Sequence, residues 1–147
     1  MANTFSQIYL HIVFAVKGRE NLIFDKWKDE LYKFISGIIK NENQKLMIIN
    51  GMPDHLHLLI SVSPDIKISE FVKTIKANSS RFINEKQFVR GKFQWQAGYG
   101  CFACNYLSVK NVVKYIENQQ AHHKKKTFKE EYVEFLKQLN IEFNDIY

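Results

Sequence analysis

From Ile8 to Val16 every second residue is a large apolar one: Ile8, Leu10, Ile12, Phe14 and Val16. Side chains alternate faces along a strand, so residues 6–16 read as a first strand with all five on one side. Tyr9, His11 and Val13 go to the other. The apolar side has to be covered by other elements of the chain, which restricts the fold to layered arrangements.

The remaining segments supply the layers. Lys17 to Asn21 is a polar break. Asp25 can cap a helix whose apolar stripe is Trp27, Leu31, Phe34, Ile35 and Ile38. Residues 45–50 form a short second strand, and Gly51 to Asp54 connects it to a third over 55–62, so the two predict a hairpin. Ser63-Pro64-Asp65 ends that strand. A second helix spans Ser69 to Asn84, with Phe71, Val72, Ile75, Phe82 and Ile83 toward the core and Lys73, Lys76, Ser80 and Arg81 opposite. Residues 93–104 read as a further strand in which Gly98 and Gly100 suggest a bulge or close backbone approach. Ser108 can cap a third helix over 109–123, striped with Val109, Val112, Val113 and Ile116. Thr127-x-x-Glu130 has the form of a capping box opening a last helix with Phe128, Phe135, Leu136 and Leu139. The order βαββαβαα predicts an α+β fold, an antiparallel sheet with helices on one face.

Composition bounds the function. The 147 residues, 46% of them apolar, suit one domain over 1–147, with no linker or internal repeat among only 2 Pro and 6 Gly. A formal charge of +6 fits a polyanionic partner once it is gathered in a patch. No window of about 18 uncharged apolar residues predicts a membrane span, and the N-terminus does not read as a secretory signal. The only two cysteines form Cys101-x-x-Cys104, too few for a zinc ribbon without other ligands. A spacing of three puts them on opposite strand faces, so they read as reduced, packed residues of a cytoplasmic protein and not as a redox pair.

Chemistry concentrates in two places. His55 and His57 share one face of the third strand, while Leu56 and Leu58 point the other way. Structural histidines bonded to neighbours are one reading. Two imidazoles side by side cost desolvation unless they share a partner, and that favours half of a metal site. On the third helix Tyr115 and Gln119 are four apart, hence on one face distinct from the valine stripe, and His122 continues that face. Separately these are the polar side of an amphipathic helix. Together with the histidines they suit phosphodiester cleavage: a metal held by two imidazoles and an amide oxygen steadies charge on the phosphate, and a phenol attacks. Histidine ligands do not choose between Mg²⁺ and Mn²⁺, and an amide oxygen argues against zinc. The basic helix face of Lys73, Lys76 and Arg81 is a candidate DNA surface, as are Lys124 and Lys125 in His122-His123-Lys124-Lys125-Lys126.

Four segments carry a family resemblance: Met52-Pro53-Asp54-His55-Leu56-His57-Leu58-Leu59, Trp95-Gln96-Ala97-Gly98-Tyr99-Gly100, Tyr115-Ile116-Glu117-Asn118-Gln119-Gln120 and His122-His123-Lys124-Lys125. In order and spacing the chain resembles the single-tyrosine transposases of small, IS200-like bacterial insertion sequences, named HUH for their His-hydrophobe-His motif, over nearly its whole length. The resemblance implies a central antiparallel sheet with helices packed on it, in the ferredoxin-like topology of HUH nucleases. It implies an obligate homodimer acting on single-stranded DNA that carries subterminal hairpins. By motif, His55, His57 and Gln119 would be metal ligands. Tyr115 would be the nucleophile forming a 5′-phosphotyrosine, its helix able to serve the partner's histidines. The loop after Asn105 and the lysines after His123 would then be hinges.

Two alternatives belong to other classes. A domesticated relative would grip hairpins to process or regulate repeats without transposing. An unrelated metal hydrolase would use His55, His57 and His11, with Tyr115 structural; His11 lies on the Tyr9/Val13 side of its strand and so could take part.

Overall fold

The computed structural model describes residues 4–119 together with 129–130 and 133–134. Its elements are β1 (Ile8–Ala15), α1 (Lys28–Asn41), β2 (Lys45–Met52), β3 (His55–Val62), α2 (Ile68–Lys86), β4 (Gly100–Cys104) and α3 (Val109–Glu117). The strands form one antiparallel sheet in the order β2-β3-β1-β4. This is an α+β fold, and the capping-box helix from Thr127 lies largely outside the described residues.

Register explains why the sheet has two unlike faces. Between β1 and β3, Leu10 pairs with Ile60, Ile12 with Leu58 and Phe14 with Leu56. Those six side chains are buried and form the floor of the core. α1 and α2 cover it with Leu31, Ile35, Ile39, Phe71, Val72, Ile75 and Ile83. The helices lock to each other through Phe34 and Phe82, stacked with ring centroids 4.1 Å apart. The intervening pairs, Val13 with His57 and Ala15 with His55, put both histidines on the reverse face.

The start of β3 is fixed from outside the ladder. Val16 N–H donates to Asp54 O at 2.9 Å, and the N–H groups of Leu22 and Ile23 donate to Pro53 O at 3.1 and 2.9 Å. Gly51 lets the hairpin close tightly, since a Cβ there would stand 2.2 Å from the carbonyl oxygen of His55.

Four local expectations are corrected. The helices do not share one face: α1 and α2 cover the core, while α3 lies on the reverse side, with Tyr115 against His11 and His57. The strand expected over 93–104 is regular only from Gly100. Residues 93–99 are a strap joined to β1 by the Val16–Trp95 bridge, with Phe93 and Trp95 plugged into the core. Asn84 holds the strap at Phe93, and Trp95 donates its indole N–H to Ser79 at 2.9 Å. Side-chain bonds from α2 therefore supplement a single bridge, whose backbone bonds run from Lys17 N–H to Gln94 O at 3.0 Å and from Gln96 N–H to Ala15 O at 2.7 Å. Asp25 does not cap α1, whose N-cap is Trp27; it pairs with Lys28 at 3.2 Å. Ser108 makes no side-chain cap either, and Asn105, accepting from Ser108 N–H at 2.9 Å, closes the turn before α3.

Candidate active site

β3 delivers His55 and His57, which are 0% and 3% exposed, with ring centroids 5.1 Å apart. α3 runs across them from the far side. Its Ile116 is buried, and the Asn50 amide donates to the carbonyls of Ile116 and Glu117 at 2.9 and 3.1 Å. Asn50 is the cross-strand partner of His57, so the bond that docks the helix and the histidine row share one register. With α3 so placed, the Tyr115 ring stands edge-on to His57 and His11, centroids 5.8 and 6.2 Å away. Gln119, fully buried, brings Oε1 to 3.3 Å from His55 Nε2. The four residues singled out by spacing thus lie together within one chain.

Three partners of the histidines set their chemistry. Asp54 Oδ1 lies 2.7 Å from His55 Nδ1. A carboxylate there accepts the Nδ1–H and leaves the lone pair on Nε2. That lone pair faces Gln119 Oε1, whose amide is turned so that Nε2 donates to the Tyr115 carbonyl at 3.4 Å. With the proton on Nδ1, the imidazole lone pair and the amide oxygen would both be acceptors, and a cation between them would satisfy both. The donor set therefore fits a divalent ion held by His55, His57 and Gln119. Among the described residues no group of three or more His, Cys, Asp or Glu could hold a metal, so a third donor to such an ion would be the Gln119 amide.

His11 is the third partner. Its Nε2 lies 2.8 Å from His57 Nδ1, and the side chain is 2% exposed. Burial pushes its pKa from 6.5 down to about 4, so it is neutral at ordinary pH. This bond directs its Nε2 at a ring nitrogen of His57 and disfavours the hydrolase reading in which His11 is itself a ligand. Asp54 and Asn50 were not singled out in the sequence; an acid immediately before His55 was the available signal.

The other candidates lie elsewhere. Lys73 and Arg81 are exposed and line a groove of about 1050 Å³ between α2 and the 93–99 strap, on the core side of the sheet. Lys17 and Lys92 add charge there, and Glu85 is its one acid among the lining residues. Lys76 lies in the same groove but clasps the strap, donating to Gln96 O at 2.7 Å and Gly98 O at 2.8 Å, with its pKa lowered by burial. Tyr99 lines this groove too, away from the histidines. Cys101 packs against the core, while Cys104 pairs with Tyr9 on the reverse face; both are free thiols, and burial raises their pKa values. His122, Lys124 and Lys125 lie outside the described residues.

Residues 4–119 match the family model described as "Transposase IS200 like". The chain belongs to the IS200-like transposase family. Among IS200-like relatives it is similar to the ISDra2 transposase TnpA of Deinococcus radiodurans, 28% identical over 118 residues, which cover 77% of this chain and 84% of that one. It is 26% identical over 96 residues to the transposase for insertion sequence element IS200 of Salmonella typhimurium, spanning 62% of that protein and 65% of this one. A crystal structure assigned as a transposase of Deinococcus radiodurans R1 superposes with a TM-score of 0.64 at 25% identity, covering 81% of this chain and 95% of that one. The fold is also that of a REP-associated tyrosine transposase solved bound to a REP hairpin, TM-score 0.64 at 14% identity, covering 84% and 73%. No helix among the described residues is long and apolar enough to cross a membrane.

Proposed function

We propose that this IS200-like transposase cleaves and rejoins single-stranded DNA at hairpin-flanked element ends, through a 5′-phosphotyrosine on Tyr115, as a cytoplasmic homodimer. The observation that carries this is the placement of Tyr115 and Gln119 directly over His55 and His57. The Tyr115 phenol attacks the scissile phosphorus. The Tyr–O–P bond forms as the phenolic proton leaves, and the P–O3′ bond breaks, the departing oxygen taking a proton as a 3′-hydroxyl. Attack by the 3′-hydroxyl of another end reverses the step and rejoins the strand without an outside energy source. His55, His57 and Gln119 hold Mg²⁺ or Mn²⁺, which when bound withdraws charge from the phosphate. The α2 groove, with Lys17, Lys73, Arg81 and Lys92, takes DNA phosphates, and Lys76 keeps its wall in place.

The test is incubation with a labelled hairpin-bearing oligonucleotide and Mg²⁺ or Mn²⁺. Wild type is expected to give a denaturation-resistant adduct and Tyr115→Phe none. No adduct from the wild type with either ion, or an adduct from Tyr115→Phe, overturns the proposal. Hairpin binding that persists in EDTA, with cleavage under neither ion, supports the repeat-binding alternative.

A further inference from the structure

Each histidine of the pair has its own partner, and the partners differ. His55 is oriented by the carboxylate of Asp54, the residue before it. His57 is oriented by His11, from the neighbouring strand and 46 residues away. His11 enters from β1, where it pairs with Leu59 in the ladder, so it reaches His57 diagonally across the sheet face. Phe102 of β4 packs beside it, with ring centroids 6.4 Å apart. The Tyr115 ring closes the remaining side at 6.2 Å.

The geometry points to His11 as a positioning residue that sets the tautomer of His57. Only one proton can lie between His11 Nε2 and His57 Nδ1. If His57 donates it, His57 keeps its lone pair on Nε2, as His55 does through Asp54. If His11 donates it, His57 carries its hydrogen on Nε2 and cannot ligate through that atom. We assign the His11 proton to Nδ1, which makes its Nε2 the acceptor, and the sheet holds that nitrogen 2.8 Å from His57 Nδ1. Both rings then present the same nitrogen to one ion, one backed by a carboxylate and the other by an imidazole. Partners behind ligating histidines commonly contribute a factor of about 10–100 in metal affinity. This inference rests on the reading that His55 and His57 hold a divalent ion.

The experiment is a Mn²⁺ titration of the DNA-free protein, followed by the electron paramagnetic resonance of the free ion. His11→Leu, which removes the acceptor, is expected to weaken Mn²⁺ binding about 10- to 100-fold. His11→Gln, which returns an oxygen near the place of Nε2, is expected to recover much of the loss. Equal affinity in wild type and His11→Leu overturns the role of His11 alone. No Mn²⁺ binding by folded wild type overturns the metal reading itself, and the inference with it. A second measurement needs no variant: the imidazole ¹⁵N resonances of the Mg²⁺-loaded wild type. They are expected to show His57 protonated on Nδ1, and protonation on Nε2 overturns the inference.

Discussion

The two faces of β1 and β3 are made by the same sixteen residues, yet they do opposite work. On one face Leu10, Ile12, Phe14, Leu56, Leu58 and Ile60 lie under two long helices and form a continuous apolar layer. On the other, His11, His55 and His57 are just as buried, under one short helix, and are held by hydrogen bonds. Burial alone therefore does not separate scaffold from site. What separates them is that apolar groups gain by losing water, while imidazoles tolerate the loss only when each nitrogen is directed at something.

That contrast can be broken from either side. Leu58→Ala removes a fully buried side chain of the apolar layer and is expected to cost about 2–5 kcal/mol of unfolding free energy, read by urea denaturation. An unchanged midpoint would mean that this layer does not carry the fold. Acid tests the histidine face. In the metal-free protein His11 titrates near 4 folded and near 6.5 unfolded, so between those values the unfolded chain binds more protons. Stability is then full above pH 6.5, falls by about 3 kcal/mol as pH drops toward 4, and loses nothing more to His11 below that. His11→Leu is expected to flatten that part of a denaturation-midpoint against pH curve. Asn50→Ala should cost about 1 kcal/mol, because it removes the amide that docks α3. Its clearer mark would be faster amide exchange in α3, with β1 and β3 unchanged. Smallest is Arg81→Ala in the groove: folding stays within about 0.5 kcal/mol, and the salt slope of DNA binding falls by about one.

Period-two alternation made β1 and β3 legible, and the His55–Val62 bounds agree with the expected strand because Pro53-Asp54 and Ser63-Pro64 frame it. The faces followed at once, and with them the pairing of His55 with His57. Helical spacing put Tyr115 and Gln119 together. It did not say which side of the sheet they would land on, since the valine stripe of α3 would suit either face. The strap was misread for a related reason. Phe93 and Trp95 are apolar at alternate positions, as a strand would have them, but Asn84 on α2 bonds the first and Ser79 the second, while Lys76 clasps the strap at Gln96 and Gly98. Such bonds from side chains distant in sequence leave no periodic trace. Asp54 and Asn50 escaped notice on the same ground, being single polar residues in a hairpin.

The docking of α3 has a further consequence. Described contacts tie it to the sheet through Ile116, Gln119, the Tyr115 ring and the Asn50 amide, whereas α1 and α2 share a whole aliphatic layer. Opening α3 is expected to need less free energy than unfolding the domain, in which the aliphatic layer is lost as well. Under the mechanism proposed for Tyr115, its phenol would let a DNA strand in beneath it and later release one, and it sits on an element that could open with the rest of the scaffold in place. In hydrogen-exchange terms α3 would be a separate cooperative unit, with its own opening constant.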